Sequence, residues 1–366
     1  MKRLFLAVAV MLLWLPVLVF ADPYTPCEGN LIVNGDFESG NTDFTSDYSF
    51  SPANMYPPKT YVIGQNPNKY HTAWASFGDH TTGSGQMMIV NATCCSSERS
   101  GCDENCSNPS QRVWEQTVTV QPYTLYVFKY FIALSYRDNP PTLRVSINGT
   151  PIGDHTPTGG QTGVWEGVRY PWFSGPATSA TITLVDTNPK YGGDDYCLDD
   201  IQLCPQPPCA EADLIAGQDT VVGRVYAYYH DGMLYVTFDV EEPWCFTELH
   251  LAVAESLDKI PQKNGNPIPG KFPDKYKPAA PGACEHTHTF EVPFSLVCND
   301  GNPVIAAHAK VKDTTGYPCL DPVTKEPTGE TCYRTETAWG KGDDFSGANW
   351  AMYFSASNCC PQTNGE

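Results

Sequence analysis

Period-two alternation runs through the apolar segments of this chain, and no helical repeat persists beyond about two turns. Thr117-Val-Thr-Val120 and Thr181-Ile-Thr-Leu-Val185 are the plainest cases, with threonine on one side and aliphatics on the other. Such a pattern buries one face of a pleated strand, so these segments must enter sheets. Residues 31–33, 86–90, 113–120, 125–134 and 143–147 continue it, and Asn148-Gly149 supplies a hairpin turn because both residues tolerate positive φ. The pattern resumes at residues 221–229 and 233–240, joined by Asp231-Gly232, and then at 246–254, 287–292, 304–311 and 350–354. The expected fold class is all-β: a β-sandwich followed by a second, mostly-β sandwich.

With 366 residues the chain exceeds the usual size of one core. The division falls at Pro205-Gln-Pro-Pro-Cys209, where prolines cannot continue a ladder. This gives domains at 22–204 and 213–360, a linker at 205–212 and a disordered tail at 361–366. Residues 261–281, rich in Pro, Gly, Lys and Asn, read as a long ordered loop or lid in the second domain.

Residues 1–21 carry Lys2 and Arg3, then an apolar run to Phe20, then a small residue before Asp22, the order of a secretory signal peptide. Its removal takes two basic residues and no acid, so the net charge of −19 becomes −21. That balance opposes nucleic acid and anionic membranes and suits metal binding. No other run is apolar enough to insert into a membrane, so the expected location is extracellular.

The 15 cysteines of an exported chain imply disulfides. The count is odd, so one thiol is free or pairs with another chain. Cys27 and Cys204 flank the first domain and make its expected long-range pair. Cys94-Cys-Ser-Ser-Glu-Arg-Ser-Gly-Cys-Asp-Glu-Asn-Cys106 reads as a stapled surface loop rather than a zinc site, since adjacent cysteines give no CxxC pair. Asn91-Ala-Thr, Asn105-Cys-Ser and Asn148-Gly-Thr are glycosylation sequons.

Two acidic segments bracket the first domain: Asn34-Gly-Asp-Phe-Glu-Ser-Gly40 and Asp194-Asp-Tyr-Cys-Leu-Asp-Asp-Ile201. If they are its first and last strands, their carboxylates converge. The seam then needs a cation or a firm hydrogen-bond network, because gathered like charges are costly.

With Trp74-Ala-Ser-Phe-Gly-Asp-His-Thr-Thr-Gly83, Met87-Met-Ile-Val-Asn91 and Ala180-Thr-Ile-Thr-Leu-Val-Asp-Thr-Asn188, these segments resemble the galactose-binding-like jelly rolls, which include many carbohydrate-binding modules. The match spans residues 31–203. It implies a structural calcium where first and last strands meet, with Glu38 and Asp200 as the leading ligands and Asp36 and Asp199 as further ones. Strand alternation sends Asp199 and Asp200 to opposite faces, so both do not serve one ion. A hydrogen-bonded closure without an ion is the alternative. Cys197 stands where those modules carry a small apolar residue, which suggests a local disulfide.

Sugar-binding modules stack a pyranose face on an aromatic ring and orient hydroxyls with polar side chains. Tyr70, His71, Trp74, Asp79 and His80 form one cluster of that kind, and Trp165, Tyr170 and Trp172 another. Trp114, within an alternating strand, belongs to the core.

The second half resembles an uncharacterised β-domain of secreted microbial proteins, through stretches such as Thr247-Glu-Leu-His-Leu-Ala-Val-Ala254, Thr335-Glu-Thr-Ala-Trp-Gly340 and Asn349-Trp-Ala351. The resemblance implies no activity. Alternation puts Glu248 and His250 on one face and groups His308 with Lys310. With Glu336 they make two imidazoles and two carboxylates, a set suited to a transition metal. The preferred reading is a hydrogen-bonded polar layer that clamps the lid.

No Gly-x-Ser-x-Gly elbow, His-Glu-x-x-His helix or phosphate-cradling glycine loop appears. The leading expectation is a secreted, non-catalytic glycan-binding or surface-adhesion protein that takes a polysaccharide or glycoconjugate. The alternatives are a metal-dependent extracellular hydrolase using the second-domain cluster and a structural wall or matrix protein.

Overall fold

A computed structural model describes residues 26–92, 111–158, 160–188, 193–280, 283–294, 298 and 303–360. The leader, the cysteine-rich segment 94–106 with Asn105, and the tail at 361–366 lie outside them. Among the described residues no helix is long and apolar enough to cross a membrane.

The first domain contains β1 (Ser49–Phe50), β2 (Thr60–Gly64), β3 (Met87–Asn91), β4 (Arg112–Thr119) and β5 (Leu125–Leu134). It continues with β6 (Leu143–Ile147), β7 (Thr150–His155), β8 (Trp165–Phe173), β9 (Ser179–Asp186) and β10 (Asp195–Pro205). They form a six-stranded sheet in the order β1-β2-β3-β10-β5-β8 and a four-stranded sheet in the order β4-β9-β6-β7. Trp114, Tyr126, Phe128, Tyr130, Ile182, Leu184 and Leu198 fill the space between, as the alternating runs require. Each such side chain contributes about 1.5–3 kcal/mol on burial.

Strand β10 is the spine of this domain, antiparallel to β3 on one side and β5 on the other. Tyr196 and Leu198 point into the sandwich; three residues later Ile201 and Leu203 do the same. The change of phase comes from a β-bulge between Asp199 and Gln202, with Asp200 at φ 51°. Simple alternation across Asp199 and Asp200 therefore fails.

Residues 31–33 make no ladder of their own. They follow β10 through Leu31 N–H to Leu203 O (3.0 Å) and Ile201 N–H to Gly35 O (2.9 Å), and the Cys27–Cys204 disulfide closes the end. A Cβ on Gly35 would stand 2.0 Å from Ile201 O, so only glycine lets the segment lie this close.

A second apolar layer covers the outer face of the six-stranded sheet: Met55, Val62, Trp74, Met87, Ile89 and Cys197. Cys197 is a fully buried free thiol, not half of a local disulfide. It packs as a small hydrophobe, and burial pushes its thiol well above the usual range. That position also closes it to any partner chain. Asn91 is buried too, donating from Nδ2 to Met55 O at 2.6 Å, which leaves no room there for a glycan.

The second domain comprises β11 (Ala210–Ala216), β12 (Thr220–His230), β13 (Met233–Val240), β14 (Trp244–Ala254), β15 (Gln262–Lys263), β16 (Asn266–Pro267) and β17 (Asp274–Tyr276). After these come β18 (Thr287–Pro293), β19 (Val304–Asp313), β20 (Tyr317–Leu320), β21 (Pro327–Cys332), β22 (Thr335–Gly340), β23 (Asp343–Asp344) and β24 (Met352–Ser355). One sheet, ordered β17-β14-β19-β22-β11-β12-β13-β18 with β24 joined to β19, curls around a core of Leu214, Val225, Phe238, Phe246, Leu251 and Ile305. The boundary is tighter than the expected 205–212, since β10 runs through Pro205 and β11 starts at Ala210.

Five disulfides join described cysteines: Cys27–Cys204, Cys209–Cys359, Cys245–Cys284, Cys298–Cys360 and Cys319–Cys332. They suit an oxidising, extracellular compartment.

Candidate functional site

The loop at residues 79–86 joins the outer layer of the first domain to both acidic segments. The buried Asp79 carboxylate holds the loop in shape, accepting from Thr82 N (2.8 Å), Gly85 N (2.6 Å) and Thr82 Oγ1 (3.1 Å). Glu38 Oε1 accepts from Gln86 N at 2.6 Å, and Asp36 Oδ1 accepts from Glu38 N at 3.4 Å. A Cβ on Gly85 would meet Glu38 Oε1 at 2.1 Å and Asp79 Oδ2 at 3.0 Å, so glycine permits two carboxylates to approach here.

The other end of the loop is fixed by β10. Asp199 Oδ2 accepts from His80 N at 2.8 Å, His80 Nδ1 and Asp200 Oδ2 lie 2.6 Å apart, and Thr81 Oγ1 donates to Asp200 Oδ1 at 2.7 Å. The two acidic segments thus hold the same loop from opposite sides. The bulge makes this possible by turning Asp200 toward His80 beside Asp199.

Asp199 and Asp200 are fully buried. Burial first, then the neighbouring Asp200, push the Asp199 carboxyl up to about 9. Two buried adjacent acids are the chemistry a hard cation would compensate, and Glu38, Asp79 and the Thr81 and Thr82 hydroxyls add oxygen donors nearby. Among the described residues, no three carboxylate, imidazole or thiolate groups are gathered around one point. A proton retained on Asp199 and the hydrogen bonds to both carboxylates provide the compensation in the arrangement described.

On the same outer face, strands β5 and β8 carry an aromatic ledge. The His80 ring stacks on Phe131 at 3.5 Å between centroids, and Trp165 meets His80 edge-on at 5.8 Å. The Trp165 indole donates to Gly78 O at 3.3 Å, which fixes the ring. Across the ladder, Gly167 faces Phe131, and a Cβ there would come within 2.9 Å of the Phe131 ring. Lys129 and Arg169 form the next pair on that face. Burial and then Arg169 lower the Lys129 ammonium, while Asp200 acts in the opposite sense.

The expected sugar contacts divide accordingly. His80 and Trp165 come together at the ledge. Trp74 does not join them: it is buried in the outer layer, with its indole donating to Asp195 Oδ2 at 2.9 Å, and it offers no free ring face. Asp79 is likewise buried and committed to its loop. Tyr70 packs over Gly64, whose added Cβ would meet the Tyr70 ring within 2.6 Å, and His71 stacks on Trp74 at 4.7 Å. Trp172 and Tyr170 turn inward against the sandwich core. Trp114 is fully buried, as its strand requires. Sequence reasoning missed Phe131, Lys129 and Arg169, whose signal was their shared face on paired strands.

In the second domain the ladder register sets Glu248 opposite Lys310 and His250 opposite His308. The two imidazoles meet, Nδ1 to Nδ1, at 3.2 Å, and His250 Nε2 lies 3.1 Å from Glu248 Oε1. Burial opposes ionisation of Glu248, but hydrogen bonds from Lys310 (2.6 Å) and Lys277 (3.2 Å) outweigh it and hold the carboxyl at about 2. Burial, reinforced by His250, brings His308 down to about 3. Glu336 is not part of this cluster. It pairs with Val311, on the face opposite His308 and Lys310, and meets Arg334 instead at 3.2 Å. Two ammonium groups already neutralise the one carboxylate beside the imidazoles. The set fits a polar layer better than a metal shell.

That layer belongs to the sheet's outer face, where Ile260, just ahead of the Pro-rich segment, and Phe272 within it pack on Ala252, Ala306 and Trp339. His308 touches Trp339 edge-on at 4.8 Å. The segment is an ordered cover with its own β15–β16 hairpin, and β17 pairs directly with β14, setting Lys275 opposite His250.

No protein-family model matches the sequence, and no curated protein matches it. Among solved structures, the chain is similar to the CBM22-1 xylan-binding domain of a Paenibacillus barcinonensis protein at 12% identity, over 50% of this chain and 97% of that one, with TM-score 0.29. It is also similar to a Stig cyclase from Fischerella sp. TAU at 15% identity, covering 49% and 98%, with TM-score 0.33. A CBM4 structure aligns at 14% identity over 48% and 99%, with TM-score 0.26. Likenesses this distant carry no argument about ligand or reaction.

Proposed function

We propose that the protein is a secreted, non-catalytic glycan-binding protein whose first domain contacts sugar at the His80–Trp165 ledge. The observation that carries this reading is the pre-organisation of two rings on an otherwise strand-built face. His80 is fixed through its ring by Phe131 and through Nδ1 by Asp200, and Trp165 is fixed through its indole N–H. Rings held this way lose little freedom on binding, so stacking energy is retained. Lys129 and Arg169 supply donors beside them for sugar hydroxyls or acidic substituents. Like charges directly opposite on a ladder are unfavourable, and an anionic ligand group relieves that cost.

Calcium enters this reading as support for the seam. At the adjacent Asp199 and Asp200 carboxylates it would replace the proton on Asp199 as counter-charge, with the Thr81 hydroxyl as a further oxygen donor.

A glycan array run with and without chelator, followed by retention on the immobilised hit, tests the proposal. Trp165→Ala is expected to weaken retention at least tenfold, and a loss of retention on chelation would mark the seam as calcium-supported. Full retention by Trp165→Ala would remove the ledge from consideration.

A further inference from the structure

We propose that the groove between the β15–β16 hairpin, the β11–β12 turn and residues 348–351 of the second domain binds a neutral saccharide. The groove encloses about 490 Å³, within the range of small-molecule sites, and its walls include Pro267, Pro269, Trp339, Trp350, Asn349 and Gln218. None of its lining residues is charged, on a chain whose net charge is −19. A cleft with aromatic and proline surface and two planar amides, but no ion, matches a ligand that has C–H faces and hydroxyls and no charge.

The walls are built to stay in place. Trp339 is wedged against His308 at 4.8 Å and against Phe272 and Phe345, each at 6.3 Å. Asn266 Oδ1 accepts from Asn349 N at 2.8 Å, Gly347 N donates to Gly265 O at 3.0 Å, and Phe345 N to Ala351 O at 2.9 Å. The hairpin and the 345–351 segment are thereby tied together across the groove. Trp350 is half-buried in one wall and Asn349 is exposed beside it.

Gln218 carries a second, independent signal. It sits at φ 82°, directly after Gly217 at φ 55°, in the tight turn between β11 and β12. Glycine or asparagine suits that conformation, and a residue with a long side chain occupies it only at a conformational cost. Its exposed amide lies at the groove, where it can pair with vicinal hydroxyls. This inference does not depend on the ledge in the first domain.

The test uses the full chain in intrinsic-fluorescence titrations with cellohexaose, xylohexaose and mannohexaose, and with polygalacturonate as charged control. Trp350→Ala is expected to lower affinity for at least one neutral oligosaccharide tenfold or more. Gln218→Gly separates binding from folding, because glycine relaxes the turn: Tm should hold or rise while affinity falls several-fold. The titrations are repeated in a Trp165→Ala background, which removes the first-domain ledge from the signal. The proposal is overturned if no neutral oligosaccharide binds, if only polygalacturonate binds, if Trp350→Ala and Gln218→Gly both retain wild-type affinity, or if Trp165→Ala alone abolishes the signal.

Discussion

Asp199→Asn is the perturbation that most directly tests the electrostatics of the first domain. The Asp199 carboxyl stands at about 9 in the folded protein against an ordinary 3.8. A group with a raised folded pKa contributes its stability below its unfolded pKa and loses it as pH rises through the folded value, here between about pH 4 and pH 9. One proton corresponds to about 1.4 kcal/mol per pH unit, so the group alone withdraws on the order of 4 kcal/mol between pH 5 and pH 8. Asparagine is neutral throughout and abolishes that slope. It also turns an NH2 toward either His80 N or Asp200 N, both of which now donate to Asp199, at a constant cost of about 1–3 kcal/mol. The difference in slope therefore carries the test. Urea unfolding of wild type and variant with calcium chelated, at intervals from pH 5 to pH 8, should show the variant gaining about 1.4 kcal/mol per pH unit in the first-domain transition. Parallel stability curves would refute the reasoning, because they would mean that Asp199 ionises freely in its buried place.

The second domain should respond to acid in the opposite sense. His308 and His250 are both depressed by burial, so their contribution is present above pH 6.5 and lost as pH falls toward the folded value, about 3 for His308. His308→Gln should flatten the acid limb of the second-domain transition between pH 6.5 and pH 4 by about 1.4 kcal/mol per unit, measured by urea unfolding. Replacing Cys27 and Cys204 together by alanine opens a loop with a sequence separation of 177. The chain-entropy relation puts the loss near 5 kcal/mol, readable as a fall in the first-domain denaturation midpoint.

The all-β class was legible because alternation is local chemistry: every residue on one side of a half-buried strand must tolerate water. The meeting of His250 and His308 was legible for the same reason, as each strand could be phased by its own aliphatics. Glu336 was not, since its face depends on the phase of β22 against β19, and that segment has too few apolar residues to declare it. Asp199 and Asp200 were misjudged because a bulge is a tertiary event. One inserted residue at φ 51° reverses the phase of β10 without a glycine to announce it. Trp74 was misjudged because the loop carrying it folds down onto the sheet, and an aromatic on a buried loop reads in sequence like one on an exposed loop. The ledge itself was half visible: His80 and Trp165 stood out, but Lys129, Phe131 and Arg169 acquire meaning only when β5 and β8 lie side by side.

The arrangement of two disulfides determines how the molecule carries mechanical load. Cys27–Cys204 joins the ends of the first domain, and Cys209–Cys359 joins the ends of the second. A pull applied beyond residues 27 and 360 passes from Cys27 across sulfur to Cys204, along the short segment to Cys209, and across sulfur again to Cys359. Neither hydrophobic core lies on that route. Tension reaches the folded strands only after a disulfide is reduced, so under oxidising conditions load follows a short, nearly inextensible path and the packing of both domains is spared.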